Sequence, residues 1–309
     1  MLYGRFMFSI LPSSRMGDTA LYTKRLLQKY DFKPKKSLGQ VFIISDGHIQ
    51  RMVDAISPKE DDLIIEVGSG LGALTRHLAA ASEVVGFELD VRLCDILKAE
   101  IKDLLVINRD FLEVDIGLFV EAYLRHIERP VKICGNLPFN ISTQILIRIA
   151  TTDTPYIHAH FLIQKEVGAK ISCRPGEGDY GRISAMVQTF CTIDRLFDVP
   201  AGAFIPAPKV DSTFLQLRHR EDHIVTHGDI ADYAAFVKGA FAQRRKSLFN
   251  NLRRSLSLSQ KNEQEALLEE IGAVGGTRET RPEELKADKF AELYYRLLAR
   301  VLIEEENLP

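Results

Sequence analysis

The stretch that decides the fold is Leu63-Ile64-Ile65-Glu66-Val67-Gly68-Ser69-Gly70-Leu71-Gly72. Its first five residues, apolar except for Glu66, are typical of a buried strand, and three glycines then allow a tight turn into a helix predicted over residues 73–81. Glycines at such a turn let the backbone approach a bound molecule that a β-carbon would exclude. A strand, a glycine-rich turn and a helix in this order predict an α/β fold that binds a nucleoside-containing cofactor.

Strand-like and helix-like segments continue to alternate after this turn. Further strands are predicted at residues 83–89, 104–108, 131–134 and 160–164, and further helices at residues 91–101 and 142–150. This rhythm indicates a largely parallel sheet covered by helices. A helix at 182–190 then leads to two strand-like runs, 193–199 and 212–218, which we interpret as a hairpin closing the edge of the sheet.

Strand signals end near residue 221, and the rest of the chain is predicted to be helical. The predicted helices cover residues 233–242, 264–271, 282–285 and 289–303. We therefore divide the chain into an N-terminal extension over residues 1–34, which need not be ordered, an α/β domain over 35–219 and a small all-α domain over 220–309. Residues 1–11 are apolar but lack the cleavage site of a secretory signal, and Met16 offers an internal start.

Composition narrows the classes of function. With 309 residues, 46% of them hydrophobic, the chain has enough apolar material for a packed core, which excludes global disorder. No apolar run approaches the roughly 20 residues that cross a bilayer, so we expect no membrane span. The four cysteines are widely spaced, so we expect no disulfides and a protein of the reducing cytoplasm. The eight histidines form no ligand-spaced set, so we expect no metal.

Two acidic residues follow neighbouring predicted strands. Glu88 comes twenty residues after Gly68, a spacing at which a carboxylate can accept hydrogen bonds from both ribose hydroxyls. Asp110 follows the next strand, where it can meet an adenine amino group. The glycine spacing is G-x-G-x-G and not the G-x-G-x-x-G of dinucleotide binders. Together with Glu66 before the turn, this spacing favours S-adenosylmethionine, although this region alone does not decide between S-adenosylmethionine and a dinucleotide.

The segment Asn136-Leu137-Pro138-Phe139, after the fourth strand, indicates the reaction. The exocyclic amine of a purine is a poor nucleophile because its lone pair is delocalised into the ring. A site that methylates this amine should surround it with acceptors, and the Asn136 side-chain oxygen and the Leu137 carbonyl are two such groups. Pro138 has no N–H to compete, and Phe139 offers a flat face for an unstacked base. The alternative is an ordinary asparagine–proline turn.

Several motifs, in the same order over about residues 35–255, resemble those of the KsgA family of bacterial small-subunit rRNA adenine dimethyltransferases. The matching stretches are residues 38–42, 66–75, 86–90, 135–142, 164–167, 180–184, 204–212 and 241–246. The resemblance implies a Rossmann-like class I S-adenosylmethionine-dependent methyltransferase with a mostly parallel seven-stranded sheet. It also implies dimethylation of N6 of two adjacent adenosines in the 3′-terminal hairpin loop of 16S rRNA during 30S biogenesis. We expect a monomer.

The resemblance also assigns residues to the cofactor. It implies contacts at Gly68, Glu88, Asp110 and Asn136, and at Val41 and Ile43 in the N-terminal segment, and we add Gln40 and Gly70 from the same motifs. Two positions depart from the family pattern. Val41 stands where the family commonly has asparagine, so only a backbone contact is expected there. Phe139 stands where tyrosine is usual, and stacking needs the ring and not the hydroxyl.

The net charge of −2 conceals segregated charge along the chain. Residues 15–40 hold seven basic and two acidic side chains, residues 238–254 hold six basic and none acidic, and residues 263–309 hold twelve acidic and six basic. We predict salt-sensitive phosphate contacts from Lys35, Lys36, Arg182, Arg244, Arg245 and Lys246, with the RNA-binding face between the two domains. The alternative is that these are solvated helix faces.

Three other functions stay open. The large-subunit rRNA methylases of macrolide resistance are the nearest enzymes, but Leu137 and residues 180–184 and 243–246 favour the small-subunit type. A ribosome-assembly or transcription factor that had lost catalysis would not need to keep Glu88 and Asn136 around an empty pocket. A DNA adenine methylase would be expected to carry a separate base-reading module, and none is evident.

Overall fold

The structure is a computed structural model that describes residues 18–125, 127–152, 156 and 158–306, with side chains as far as residue 300. The helices are α1 (Thr19–Lys29), α2 (Asp46–Ile56), α3 (Thr75–Leu78), α4 (Val91–Glu100), α5 (Ile116–Leu124), α6 (Ser142–Ala150), α7 (Lys165–Ser172), α8 (Arg182–Phe190), α9 (Ile230–Ala240), α10 (Leu248–Ser255), α11 (Lys261–Ala273) and α12 (Ala287–Glu306). The strands are β1 (Phe42–Ile43), β2 (Leu63–Val67), β3 (Glu83–Glu88), β4 (Leu105–Asn108), β5 (Val131–Asn136), β6 (His158–Gln164), β7 (Cys191–Val199), β8 (Phe204–Ile205) and β9 (Ser212–His219).

A seven-stranded sheet organises the chain, in the order β4-β3-β2-β5-β6-β9-β7. The first five of these strands pair in parallel, so their carboxyl ends lie at one edge. All five residues of the central strand β2 are buried, which is why four of the five are apolar. Strands β9 and β7 are neighbours at the far edge of the sheet, where the hairpin was predicted. The mostly parallel seven-stranded sheet is confirmed.

The chain folds into two compact units. The sheet unit holds the described residues up to 145, with those of 154–165 and 195–216, and the helical unit holds those of 146–153, 166–194 and 217–306. These units do not follow the predicted boundary at 219 alone, because the described residues of 146–153 and 166–194 also group with the helical unit. Aromatic packing explains this: the Phe190 and Tyr233 ring centroids lie 6.2 Å apart, and the Thr189 and Tyr233 hydroxyls lie 2.8 Å apart.

Residues 18–34 belong to the sheet unit and are not a separate extension. Leu26 of α1 is fully buried, in a cluster with Phe32 and with Leu71 of the glycine turn. The Asp46 carboxylate accepts hydrogen bonds from the backbone N–H groups of Asp18 and Thr19, at 2.8 and 2.9 Å. An acid at a helix N-terminus stabilises the helix, so α1 is held at its start and along its apolar face. Residues 1–17 of the predicted extension lie outside the described residues.

Two features of other protein classes are absent from the part of the chain that the structure describes. In that part, no helix combines the length and apolar character needed to cross a membrane. Nor do three or more histidine, cysteine or acidic side chains come together there as ligands for a metal ion. The four cysteines are free thiols.

Candidate active site

The glycine turn after β2 adopts backbone conformations that only glycine takes easily. Gly68 and Gly70 have φ angles of +76° and +57°, in the left-handed region. A β-carbon on Gly68 would lie 3.6 Å from the Asn136 carbonyl oxygen, and one on Gly70 would lie 3.2 Å from the Phe42 ring. The turn therefore packs directly against the end of β5 and against β1.

Glu88 ends β3 and faces this turn. Its carboxylate accepts a hydrogen bond from the Gly70 N–H at 2.9 Å on Oε2 and one from the Asp90 N–H at 3.0 Å on Oε1. The residue is 8% exposed, and burial raises the pKa of its carboxyl above the ordinary value. Each carboxylate oxygen has a second lone pair, so both remain able to accept from a ligand's hydroxyls.

Two side chains at the end of β4 complete this side of the site. Asp110 accepts a hydrogen bond from the Leu112 N–H at 2.9 Å on Oδ1, and none of the described residues bonds to its Oδ2. Asn108 Nδ2 donates to the carbonyl oxygens of Glu88 and Leu89, both at 2.9 Å. Asn108 therefore fixes the turn that carries Glu88. Sequence reasoning missed it, because asparagine at a strand end is common for purely local reasons.

One cavity collects the residues predicted to bind the cofactor. It is lined by all eight of them, Gln40, Val41, Ile43, Gly68, Gly70, Glu88, Asp110 and Asn136. The apolar side chains of Leu89 and Phe111 also line it, next to the two acids, and carried no signal in the sequence. A cleft that holds Glu88 and Asp110 among apolar walls and glycine backbone fits a molecule that has a ribose, a flat base and a flexible chain.

Asn136 has a fixed amide orientation. Its Nδ2 donates to the Val41 carbonyl oxygen at 2.9 Å, and since a carbonyl can only accept, this contact identifies the nitrogen. The Asn136 Oδ1 is buried and has no hydrogen-bond partner among the described residues. A buried acceptor without a partner is costly to a fold and marks a place where a ligand donates. No sequence signal pointed to the Val41 carbonyl as the group that orients Asn136.

The three residues after Asn136 differ in exposure. Leu137 has a fully buried side chain and donates its N–H to the Leu162 carbonyl at 3.0 Å, while no described residue donates to its own carbonyl. Pro138 lines the cavity. Phe139 is partly exposed, does not line the cavity, and has no aromatic partner among the described residues. The turn thus places two free acceptors beside the cavity and one available ring outside it.

Glu66 lies beneath the glycine turn. It is 2% exposed, and its Oε2 accepts a hydrogen bond from the Thr75 hydroxyl at 2.5 Å, which ties the end of β2 to the start of α3. Burial raises the pKa of the Glu66 carboxyl from 4.5 to about 7. This residue therefore retains its proton over much of the acidic range.

The raised pKa of Glu66 predicts a pH-dependent stability. The folded protein holds this proton more tightly than the unfolded chain, so folding loses stability as the pH rises from 4.5 to about 7 and is level above that. We expect the free energy of unfolding to fall by about 3 kcal/mol over this window, relative to Glu66→Gln. Urea unfolding of both proteins between pH 4.5 and 8 measures the difference. Parallel pH profiles would contradict the prediction.

A second group of predicted residues lies in the helical unit. Arg244, Arg245 and Lys246 are exposed on the turn before α10. Asn251 of α10 is 3% exposed and holds this turn through Gln243, accepting from its N–H at 3.0 Å and donating to its carbonyl at 3.1 Å. Among the described residues, none of the three basic side chains has an acidic partner. The turn is thus a fixed platform for uncompensated positive charge.

This basic surface extends along α10. Asn250, Arg253 and Arg254 are exposed, and with Lys246 they line a shallow cleft. Spacings of three and four residues from Asn250 place Arg253 and Arg254 on the same face of α10, and Lys246 lies before the helix. Sequence reasoning counted both arginines in a basic run without assigning them to a site, because which face of the helix is free depends on its packing.

The other predicted RNA contacts are exposed as well. Lys36 is exposed and has no ion-pair partner among the described residues, whereas Lys35 Nζ lies 3.7 Å from Asp90 Oδ2. Both are in the sheet unit. Arg182 is exposed at the first position of α8, in the helical unit.

Comparisons with known proteins agree on one group of enzymes. A family model described as ribosomal RNA adenine dimethylase matches residues 31–284. The chain is 36% identical to ribosomal RNA small subunit methyltransferase A of Staphylococcus haemolyticus over 291 residues, covering 93% of this chain and 95% of that protein. It is 35% identical to the protein of the same name from Bacillus licheniformis over 285 residues, covering 90% and 96%.

Solved structures share the fold. A dimethyladenosine transferase from Plasmodium falciparum superposes with a TM-score of 0.69 at 20% identity, covering 84% of this chain and 98% of that one. The 23S rRNA methyltransferase ErmE superposes with a TM-score of 0.58 at 23% identity, covering 83% and 99%. At these identities the likeness shows the fold alone. The predicted Rossmann-like fold of S-adenosylmethionine-dependent methyltransferases is confirmed.

Proposed function

Because this chain belongs to the ribosomal RNA adenine dimethylase family, we propose that it dimethylates N6 of two adjacent adenosines in the 3′-terminal hairpin loop of small-subunit (16S) rRNA. The chain is an S-adenosylmethionine-dependent rRNA adenine N6,N6-dimethyltransferase. The small-subunit target is supported by the relatives named above, which are more than 30% identical over nearly the whole chain. The observation that carries the assignment within the site is the unpartnered buried Oδ1 of Asn136.

The cavity at the carboxyl edge of the sheet fits S-adenosylmethionine. When bound, this cofactor supplies an electrophilic methyl group on a sulfonium. Glu88 would accept from the ribose hydroxyls, Asp110 would accept from the adenine amino group, and the positive-φ glycines Gly68 and Gly70 would let the backbone approach the bound chain. Gln40, Val41 and Ile43 would form the wall on the N-terminal side. Val41 takes part through its backbone, since its carbonyl holds Asn136.

The catalytic turn works by positioning. The Asn136 Oδ1 and the Leu137 carbonyl accept the two N–H groups of an adenine amine, which turns the nitrogen lone pair out of the ring's conjugation. Pro138 offers no N–H that would bind that lone pair. A nitrogen that has gained a methyl group is strongly acidic and loses its proton to water, so no side chain has to act as a general base. Orientation and aligned acceptors therefore account for the chemistry.

Phe139 supports the flipped base, and this role predicts two contrasting variants. Phe139→Ala removes the ring on which the base stacks, and we expect kcat/KM for the rRNA substrate to fall by about 10- to 100-fold. Phe139→Tyr keeps the ring and should stay within about threefold of wild type. Both are measured by initial rates at saturating cofactor. Equal activity of wild type and Phe139→Ala would rule out the stacking role.

The substrate is an assembling 30S particle, and the protein acts on it as a monomer in the cytoplasm. Support for RNA contact comes from five exposed basic side chains that have no ion-pair partner among the described residues, Lys36, Arg182, Arg244, Arg245 and Lys246, and from Lys35 beside Asp90. Such contacts neutralise phosphates and release counterions, so binding should weaken steeply with salt. Arg253 and Arg254 on α10, which were not among the predicted contacts, enlarge the basic surface of the helical unit.

Transfer of a tritiated methyl group tests the proposed substrate. Immature small subunits from a strain that lacks this methylation are compared with protein-free large-subunit rRNA. We expect incorporation into the small subunits and little into the large-subunit RNA. Preferential labelling of large-subunit RNA would instead support the macrolide-resistance type of activity. Binding to small subunits without any incorporation would support a non-catalytic assembly factor.

A further inference from the structure

Asp90 is buried in the sheet unit and has no role in the function described so far. It follows Glu88 by two residues and is 4% exposed. Its carboxylate binds Arg92 in two places, with Nε at 3.0 Å from Oδ1 and Nη2 at 2.6 Å from Oδ2. The Arg92 hydrogen bonds hold the pKa of the Asp90 carboxyl well below its usual range. Asp90 is therefore a buried, charged residue at the edge of the cofactor cavity.

The same carboxylate reaches across to the N-terminal wall of the cavity, which we define as residues 35–43. Gln40 Nε2 donates to Asp90 Oδ2 at 3.0 Å, across fifty positions of sequence, and Lys35 Nζ lies 3.7 Å from that oxygen. Gln40 Oε1 in turn accepts from the Lys35 N–H at 2.7 Å. Asp90 Oδ2 thus contacts both ends of the segment, residues 35–40, that begins the wall.

Arg92 adds a second connection to the N-terminal segment. Its guanidinium carbon lies 4.4 Å from the centroid of the Phe32 ring, and that ring packs edge-on against Phe42 of β1. Phe42 in turn lies against Gly70 of the glycine turn. Asp90 is thus connected, through the Arg92 guanidinium, to the rings of Phe32 and Phe42.

Asp90 is connected to Glu88 as well. Its backbone N–H donates to Glu88 Oε1 at 3.0 Å. Asp90 therefore contacts both the N-terminal wall and Glu88 at the end of β3. The wall itself reaches the catalytic turn: a β-carbon on Gly39 would lie 2.9 Å from Asn140 Oδ1 and 3.2 Å from the Phe139 nitrogen. The wall, Glu88 and the turn of Asn136 thus share one connected frame.

We propose that Asp90 is a positioning residue of the cofactor site. Its carboxylate holds the N-terminal wall against the β3–α4 turn, so that the cavity is formed and Glu88 is in position before the cofactor binds. This inference rests on the proposed placement of S-adenosylmethionine in this cavity. A wall that is held in place costs no ordering entropy on binding, whereas a released wall must be ordered each time. Loss of Asp90 therefore weakens cofactor binding, whereas kcat at saturating cofactor is kept, because the bound cofactor restores the wall and with it the hydrogen bond from Asn136 to the Val41 carbonyl.

A purely local role for Asp90 makes a different prediction. Asp90 is also the N-cap of α4, because its Oδ1 accepts from the Arg92 N–H at 3.2 Å. Serine caps a helix about as well as aspartate, but it is too short and uncharged to hold Gln40 and Lys35. Asp90→Ser therefore keeps the helix cap and removes the contacts to Gln40 and Lys35. Gln40→Leu removes the hydrogen bond between Gln40 and Asp90 and leaves the helix cap unchanged.

The test measures S-adenosylhomocysteine binding by calorimetry, and KM for S-adenosylmethionine and kcat with small-subunit substrate. We expect Asp90→Ser and Gln40→Leu each to weaken binding and raise KM at least 10-fold, with kcat of Asp90→Ser within about threefold of wild type. The double variant should lose little more than Asp90→Ser alone, since both substitutions remove the hydrogen bond between Gln40 and Asp90. The matched control is Asp115→Ser, which changes the same residue type at the N-cap of α5, outside the cavity, and should bind as wild type.

Several results would overturn the inference. Wild-type affinity for S-adenosylhomocysteine in Asp90→Ser or Gln40→Leu would show that the contact between Asp90 and Gln40 does not shape the cofactor site. A loss of affinity in Asp115→Ser equal to that in Asp90→Ser would show a general effect of helix stability. A fall in kcat of Asp90→Ser without a change in KM would show that Asp90 acts on the chemical step and not on cofactor binding. If wild type itself does not bind S-adenosylhomocysteine, the placement of the cofactor fails, and the inference fails with it.

Discussion

Asn136→Ala is expected to lower kcat by about 100- to 1000-fold, the range found when one oriented polar group is removed from a transition state. The alanine variant loses the acceptor Oδ1, which has no protein partner among the described residues. It also loses the hydrogen bond to the Val41 carbonyl, which joins the catalytic turn to the N-terminal wall. Single-turnover rates with saturating RNA and cofactor measure the effect on the chemical step directly.

Binding measurements separate this catalytic effect from a general disturbance. S-adenosylhomocysteine affinity should fall far less than kcat in Asn136→Ala, because Glu88, Asp110 and the glycine turn remain. RNA affinity should stay at the wild-type value, since the exposed basic side chains are unchanged. A kcat within about threefold of wild type would show that the Asn136 acceptor does not align the amine.

Gly135→Ala is expected to have the largest effect on stability. A β-carbon at position 135 would lie 2.2 Å from the Val67 carbonyl oxygen and within 3.2 Å of the Val67 nitrogen. These are backbone atoms of the central strand, so no flexible side chain can move aside. Strands β2 and β5 would have to separate at their carboxyl ends, where Gly68 and Asn136 lie. We expect a loss of about 3 kcal/mol or more in the free energy of unfolding.

Gly47→Ala is the matched control for this prediction. It makes the same chemical change within α2, where an added β-carbon meets nothing within 4 Å. Alanine favours a helix over glycine by about 1 kcal/mol, so this variant should be as stable as wild type or slightly more so. Urea unfolding of the three proteins provides the comparison. Equal stability of Gly135→Ala and wild type would mean that the strands do not approach this closely.

Local patterns were sufficient to predict the centre of the fold. Glycines after an apolar run, an acid ending the next strand and an asparagine–proline turn are signals contained in a few consecutive residues. They located β2, β3 and β5, and the structure brings Gly68, Glu88 and Asn136 to one cavity. Parallel strands explain why such separate signals converge, because their carboxyl ends meet at one edge.

Contacts between distant segments could not be predicted in the same way. The pairs Gln40–Asp90 and Val41–Asn136 are separated by 50 and 95 positions, and nothing local in either partner indicates the other. Helix α1 was missed because its polar face dominates its composition, while its burial depends on Leu26 and on Phe32 after the helix. Helix α8 lies before the predicted boundary at residue 219 but groups with the helical unit, because Thr189 of α8 contacts Tyr233.

The most direct test of the proposed function is mass spectrometry of the 3′-terminal hairpin of small-subunit rRNA. Small subunits that lack the modification are incubated with the protein and S-adenosylmethionine, and the hairpin is released and its fragments are weighed. Four added methyl groups, two on each of two adjacent adenosines, are predicted, and none with Asn136→Ala in the same incubation time. A hairpin of unchanged mass after incubation with a wild-type protein that binds both cofactor and subunit would contradict the assignment.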